Sequence, residues 1–159
     1  ARRHGWFHGI KNGKWLGETQ GKVSSLEKTW EGLESYGMGG DTEGGHEKLI
    51  MIHRGVDVAG KGAYRNLPVH EEAAHVKKRL GTRLFFDPSH TCGPRLRSRI
   101  VEETIKALRM VVDEDEYLYD GILIEVGDSL TDTEQHITLT ELYELCSAVA
   151  QFRDLGGPK

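Results

Sequence analysis

The chain has 159 residues, 37% of them hydrophobic, and 21 Lys plus Arg against 25 Asp plus Glu leave a formal charge of −4. This is about one domain with an ordinary core, which excludes a disordered chain, and the interspersed charges exclude a large basic face for nucleic acid. No apolar run approaches the roughly 18 residues of a membrane span, and no apolar stretch of a secretory signal follows Ala1. Two cysteines without a CxxC pair favour a reducing, cytoplasmic setting.

The first half of the chain predicts two strand-then-helix pairs, because strands and amphipathic helices space their buried residues differently. The first strand lies around Trp6 to Ile10, and the apolar face of its helix comprises Val23, Leu26, Trp30 and Leu33. The second strand is Leu49 to His53, a continuous apolar run typical of a parallel strand buried on both faces. Its helix has Pro68 in the first turn and carries Val69, Ala73, Val76 and Leu80.

The second half predicts two further pairs. The third strand is Leu84 to Phe86, followed by a longer helix lined by Val101, Ile105, Leu108 and Val112. The fourth strand is Gly121 to Val126, and its helix buries Leu139, Leu142, Leu145, Val149 and Phe152. Repeated β-then-α order with apolar strands indicates an α/β fold with a parallel sheet covered by helices. We predict a single domain over residues 1–159 with four β/α units, half of a (β/α)8 TIM barrel.

Polar side chains stand at the ends of all four predicted strands. They are Lys11, Arg54, the Asp87-Pro88-Ser89-His90 segment and Glu125. Barrel enzymes place catalytic groups at the carboxyl ends of strands, and a charge is costly to bury unless it is paired or binds a ligand. Four such ends in succession therefore predict a functional site.

The residue types suit a phosphorylated carboxylate beside a metal ion. Lys11 and Arg54 offer positive charge, and a guanidinium binds phosphate or carboxylate through two nitrogens. His90 and Glu125 offer a nitrogen and an oxygen to a divalent metal, and Asp132 follows on a loop that could add another oxygen. Spacing alone leaves a second interpretation open, in which these residues form salt bridges that close the barrel mouth.

Four segments resemble those of the type I 3-deoxy-D-arabino-heptulosonate 7-phosphate (DAHP) synthases. FFDPSHTCG is similar to their DPSHxxG segment, IMIHRGV to their strand ending in RG, and GIKNG to their KNG or KRG strand. GILIEV followed by TDTEQ resembles their glutamate strand and SDGxQ-type aspartate segment. The segments occur in the family's order from about Gly9 to Phe152, and they correspond to the C-terminal half of the family's barrel.

The resemblance implies a metal-dependent transferase of aromatic amino acid biosynthesis (the shikimate pathway) that condenses phosphoenolpyruvate with erythrose 4-phosphate. It implies that Lys11 and Arg54 contact phosphoenolpyruvate, Arg54 through the phosphate, and that both act in catalysis with His90. His90, Glu125 and Asp132 would be the ligands of Mn²⁺, Fe²⁺, Zn²⁺ or Co²⁺. Asp87 is expected to support its loop by hydrogen bonds.

The chain also departs from the family pattern. It lacks the cysteine that is the usual fourth metal ligand and the KPRT-type segment that binds the sugar phosphate. Cys92, two residues after His90, is an alternative thiolate, although a structural thiol is favoured. The missing half implies a homo-oligomer or a second chain, because a lone half-barrel exposes sheet edges and apolar strand faces.

Two alternatives remain for the function. The related 3-deoxy-octulosonate 8-phosphate synthases usually have DATH where this chain has DPSH at residues 87–90. A non-catalytic half-barrel that binds phosphoenolpyruvate or metal is the alternative from another class.

Two local features favour a structural role. Ser89 is expected to be a local cap without a chemical role. His70 and His75 are five residues apart rather than the four of the HExxH zinc motif, which favours an exposed helix start.

Overall fold

The computed structural model of the chain describes residues 7–12, 48–114, 116–128 and 134–153. In chain order, the elements are β1 (His8–Asn12), β2 (Leu49–His53), α1 (His70–Leu80), β3 (Arg83–Phe86), α2 (Pro88–Cys92), a 3-10 segment (Pro94–Arg99), α3 (Ile100–Leu108), β4 (Val111–Asp113), β5 (Glu116–Tyr117), β6 (Gly121–Ile122) and α4 (Leu139–Ala150). The predicted helix around Trp30 and the predicted ligand Asp132 lie outside the described residues.

The main sheet is parallel, as predicted, with the strand order β1-β2-β3-β6. Each strand therefore pairs with the next parallel strand in the chain, which is the order of strands around a (β/α)8 barrel. β2 has the predicted bounds, whereas β1 begins two residues later than predicted, at His8. β6 ends at Ile122, and Val126 forms a separate parallel bridge with Ile137.

The two faces of the sheet differ in their burial. α1, α3 and α4 pack over one face, where Met51, Leu84 and Phe86 are buried. Alternate residues of the strands, including Ile52 and Phe85, point to the other face and are only half-buried. Exposed large apolar side chains also occur in this part of the sheet, namely Leu123 after β6 and Phe7 before β1. In a closed barrel this second face would be the interior.

Several predicted helix details were wrong. Pro68 precedes the N-cap residue Val69 and so lies before the first turn of α1. Val112 belongs to β4, because α3 ends at Leu108 and the chain turns into the β4-β5 hairpin. Leu139 is 51% exposed at the start of α4, whereas Leu145 on the same helix is buried as predicted.

A cluster of aromatic rings joins β2, α1 and β3 beneath the helices. His53 is completely buried and stacks on Phe86 and Tyr119, while His70 packs against the same two rings and contacts the Tyr119 hydroxyl at 2.7 Å. His53 Nε2 accepts a hydrogen bond from the Val69 backbone at 3.3 Å. His70 is thus half-buried against the core, and the predicted exposed helix start is wrong for this residue.

We expect this cluster to make the fold sensitive to acid. Burial lowers the pKa of His53 from 6.5 to about 3, helped by the charge of His70, and burial lowers the pKa of His70 to about 4. Below pH 6.5 these two histidines bind protons in the unfolded chain but stay neutral in the folded chain. The free energy of unfolding therefore falls as the pH falls. The loss should approach about 1.4 kcal/mol per pH unit for each histidine.

Urea unfolding at pH 7 and pH 5 measures this loss. His70→Gln should remove part of the difference in the free energy of unfolding between the two pH values. Equal pH dependence in the wild type and in His70→Gln would contradict the role given to His70.

Candidate active site at the carboxyl ends of the strands

Two predicted site residues, Lys11 and His90, meet around the buried carboxylate of Asp87. Lys11 Nζ lies 2.5 Å from Asp87 Oδ2 and 3.3 Å from His90 Nδ1. Asp87 Oδ1 accepts a hydrogen bond from the His90 backbone N at 3.0 Å, and His90 Nδ1 lies 3.0 Å from Asp87 Oδ2. Asp87 is 1% exposed, and its buried charge is stabilised by Lys11 and by the backbone N of His90 in the turn that follows. Its predicted role as a support of the loop is confirmed.

Glu125, which lies three residues after the end of β6, completes the cluster. Its Oε1 lies 3.4 Å from His90 Nδ1, and its backbone N donates a hydrogen bond to Ser89 Oγ at 3.0 Å. Ser89 is completely buried. It therefore ties the β3 end to the β6 end, and the prediction that it is only a local cap was wrong.

Sequence reasoning missed the residue that orients Glu125. Gln135 is 2% exposed, and its Nε2 donates hydrogen bonds to both carboxylate oxygens of Glu125 at 3.0 and 3.1 Å. Arg65 in turn donates from Nη1 to Gln135 Oε1. Gln135 thus fixes the plane of the Glu125 carboxylate and links it to a cation on the loop after β2. Gln135 is the last residue of the TDTEQ segment, from which the sequence predicts only Asp132 as a site residue.

Arg54 directly follows β2, and its guanidinium interacts electrostatically with Asp87 and Glu125 of the cluster. Burial lowers the pKa of its guanidinium and so does nearby Arg65, while Asp87 and Glu125 act in the opposite direction. Its Nε is buried and has no hydrogen-bond partner among the described residues. A buried donor without a partner costs about 1–3 kcal/mol, so Arg54 is suited to an incoming anion.

The spacing of His90 Nδ1 and Glu125 Oε1 fits two ligands of one divalent metal ion. Two ligands about 2.1 Å from one tetrahedral ion lie about 3.4 Å apart, which is the separation of His90 Nδ1 and Glu125 Oε1. Within the described ranges no group of three His, Cys, Asp or Glu side chains is arranged to hold a metal. Burial raises the pKa of the Cys92 thiol to about 12, which disfavours the thiolate that metal binding requires.

The loop from Arg54 to Leu67 is pinned against the turn that carries His90. Val56 and Leu67 exchange backbone hydrogen bonds at 2.9 and 2.8 Å, and Asn66 Nδ2 donates to the His90 carbonyl at 2.7 Å. Gly55 allows this closure because it has a φ of +76° and lies against the Asn66 backbone, where a Cβ would approach to 2.6 Å. The position of Arg54 relative to His90 therefore depends on Gly55.

We expect Gly55→Ala to destabilise the fold more than Gly60→Ala. Both glycines have positive φ, +76° and +80°, but a Cβ at Gly60 would meet nothing within 4 Å. The two variants therefore share the backbone strain, about 1–3 kcal/mol, and only Gly55→Ala adds a clash with backbone. Urea denaturation compares the two, and equal losses would show that the close approach at Gly55 is unimportant.

Known proteins resemble this chain in structure rather than in sequence. No family model matches the chain, and no curated protein matches it. A truncated form of 3-deoxy-D-arabino-heptulosonate 7-phosphate synthase from Thermotoga maritima superposes with a TM-score of 0.67 at 22% identity, covering 94% of this chain and 50% of that one. A phospho-2-dehydro-3-deoxyheptonate aldolase (DAHP synthase), also from Thermotoga maritima, gives a TM-score of 0.61 at 22% identity, covering 86% of this chain and 37% of that one.

These comparisons establish the fold. The chain has a DAHP synthase-like α/β fold. It spans about half the length of the first of these structures and 37% of the length of the second. The order of its parallel strands agrees with that fold. No helix within the described ranges has both the length and the apolar character that a bilayer span requires.

Proposed function

We propose that the chain supplies the phosphoenolpyruvate- and metal-binding half of a DAHP synthase-like transferase, with erythrose 4-phosphate as the second substrate. The observation that carries this proposal is the cluster of Lys11, Asp87, His90 and Glu125. Lys11 Nζ lies 2.5 Å from Asp87 Oδ2, which lies 3.0 Å from His90 Nδ1, and this nitrogen lies 3.4 Å from Glu125 Oε1. The four residues come from the ends of three different parallel strands. The fold similarity supports the same conclusion.

Arg54 favours a ligand site over salt bridges that merely close the barrel mouth. A purely structural cluster would pair its cations, as Lys11 is paired with Asp87. Arg54 instead has a buried Nε without a partner in the described part of the chain. Lys11 and Arg54 would hold the phosphate and carboxylate of phosphoenolpyruvate, and Arg54 would stabilise the charge that develops as phosphate leaves.

A divalent ion would be held by His90 and Glu125, with Asp132 as the proposed third ligand. Such an ion supplies Lewis acidity to the aldehyde oxygen of the sugar phosphate. Asp87 would hold the turn that carries His90 through its hydrogen bond from the His90 backbone N, and Gln135 would keep the Glu125 carboxylate in place. Partners of this kind commonly change metal affinity or activity by about 10- to 100-fold.

The proposed enzyme requires a second barrel half. The face of the sheet that carries Ile52 and Phe85 is half-buried, and Leu123 is 42% exposed beside it. Apolar faces of this kind are costly to leave in water. We propose that a second copy or another chain covers this face and closes the barrel.

Phosphate release from phosphoenolpyruvate with Mn²⁺ tests the proposal. We expect release with erythrose 4-phosphate and much less with arabinose 5-phosphate. The reverse preference would favour a 3-deoxy-octulosonate 8-phosphate synthase-like enzyme. The assay should be combined with the native mass, which reports how many chains form the active particle.

The second candidate function is a non-catalytic half-barrel that binds phosphoenolpyruvate or metal. It is favoured by the lack of a three-residue metal group among the described residues. Saturable binding of phosphoenolpyruvate without turnover, in an oligomer of at least two chains, would support this alternative and overturn the catalytic proposal.

A further inference from the structure

A groove of about 530 Å³ opens between the loops that follow β2 and β3. Its walls include Lys61, Tyr64, Arg65, Cys92, Pro94 and Arg95, which we call the basic groove. Both loops leave the carboxyl ends of parallel strands, the end of the sheet that carries the candidate active site. The volume is in the range of small-molecule sites.

The charge of the basic groove is unbalanced. Three cations line it and no carboxylate does, although the chain as a whole has a net charge of −4. Within the described ranges Arg95 forms neither an ion pair nor a hydrogen bond, and the guanidinium of Arg65 bonds only to the neutral side chain of Gln135. Lys61 is paired with Asp57, which is 61% exposed and is not one of the lining residues, so Arg65 and Arg95 supply the unbalanced charge. Such a concentration of positive charge attracts anions.

The position of Arg65 in the groove is fixed by the backbone. Its N donates to the carbonyl oxygens of Thr91 and Cys92 at 3.0 and 3.3 Å, which holds the two loops together. Its side chain lies on Gly93, where a Cβ would approach Arg65 Cβ to 2.6 Å. Gly93 also has a φ of +64°, so both the backbone conformation and the close contact with Arg65 favour glycine at this position. Arg65 is therefore held in place before any ligand arrives.

We propose that the basic groove binds a phosphate monoester through Arg65, Arg95 and Lys61. Guanidinium groups bind phosphate oxygens in pairs, and two arginines with a lysine match a dianion. The same Arg65 contacts Gln135, which holds Glu125, so an anion in the groove would also be coupled to the candidate metal site. The phosphate could be the distal group of a sugar phosphate that extends from the active site, which would rest on the proposed function, or it could belong to a separate ligand.

The binding test uses inorganic phosphate and the full chain at constant ionic strength. Arg95→Ala should weaken phosphate binding, measured by calorimetry, about tenfold. Lys78→Ala removes the same charge from an exposed position on α1, where Lys78 pairs with Asp113, and should leave binding unchanged. In backbone amide NMR spectra phosphate should shift the signals of Gly62 and Gly93, which lie in or beside the groove. Equal affinities for wild type and Arg95→Ala would overturn the proposal.

A second measurement identifies the source of the phosphate. If the groove holds the distal phosphate of the aldose, Arg95→Ala should raise the KM for erythrose 4-phosphate about tenfold with little change in kcat. If KM is unchanged while phosphate binding still depends on Arg95, the groove takes a separate phosphorylated ligand. If no turnover occurs at all but Arg95-dependent binding persists, the groove stands and the proposed catalytic function fails.

Discussion

His90→Ala is expected to reduce metal-dependent phosphate release by at least about a hundredfold and to weaken Mn²⁺ binding to a similar extent. Loss of a residue that only orients a metal ligand already changes affinity or activity by about 10- to 100-fold, and we propose that His90 is itself a ligand. Its Nδ1 lies 3.4 Å from Glu125 Oε1 and 3.0 Å from Asp87 Oδ2. Steady-state rates and Mn²⁺ titration by electron paramagnetic resonance measure the two effects.

His75→Ala is the matched control for this variant. It removes the same side chain from the exposed side of α1, so both rate and Mn²⁺ affinity should be preserved. Circular dichroism would show that both variants remain folded. If His90→Ala binds Mn²⁺ as tightly as the wild type, His90 is not a ligand, whatever happens to the rate.

Arg54→Ala is expected to lower kcat/KM for phosphoenolpyruvate by about a hundred- to a thousandfold, the effect of removing one donor that stabilises developing charge. The buried and unpartnered Nε of Arg54 supports this expectation, as does the position of its guanidinium in the field of Asp87 and Glu125. Arg54→Lys should recover only part of the loss, because lysine keeps the charge without the planar fork. Calorimetry with phosphoenolpyruvate would separate lost binding from lost catalysis.

Arg83→Ala provides a control on the same sheet. Arg83 begins β3, at the opposite end of the strands from Arg54, and its guanidinium lies 5.2 Å from the centre of the Phe7 ring. Its removal should leave kcat/KM nearly unchanged. Similar losses in Arg54→Ala and Arg83→Ala would indicate a general effect of charge rather than a contact with substrate.

The sequence predicts strands and helices from the spacing of apolar residues, and the predictions are correct where that spacing is unambiguous. β2 was predicted with its observed bounds because the whole run Leu49–His53 is apolar up to the histidine. Val112 was misplaced because its spacing continues the helical pattern of α3, although the acidic turn after it favours the β4-β5 hairpin. The fourth strand was predicted too long because its sequence remains apolar after the regular pairing ends at Ile122.

The site was predictable only where it coincides with strand ends. Lys11, His90 and Glu125 were found in this way and lie together. Arg65 and Gln135 were missed because they lie on loops, are 70 residues apart, and meet only in the folded chain. Sequence periodicity carries no information about such contacts. The buried state of Gln135 likewise arises from packing between loops rather than from a pattern of apolar residues.

The most direct test is a crystal structure of the assembled protein with Mn²⁺ and phosphoenolpyruvate, using anomalous scattering to locate the metal. We expect one manganese peak within bonding distance of His90 and Glu125, with the phosphate of phosphoenolpyruvate against Arg54 and Lys11. A manganese ion bound elsewhere, or phosphoenolpyruvate seated away from Arg54, would contradict a shared site for substrate and metal at the carboxyl ends of these strands.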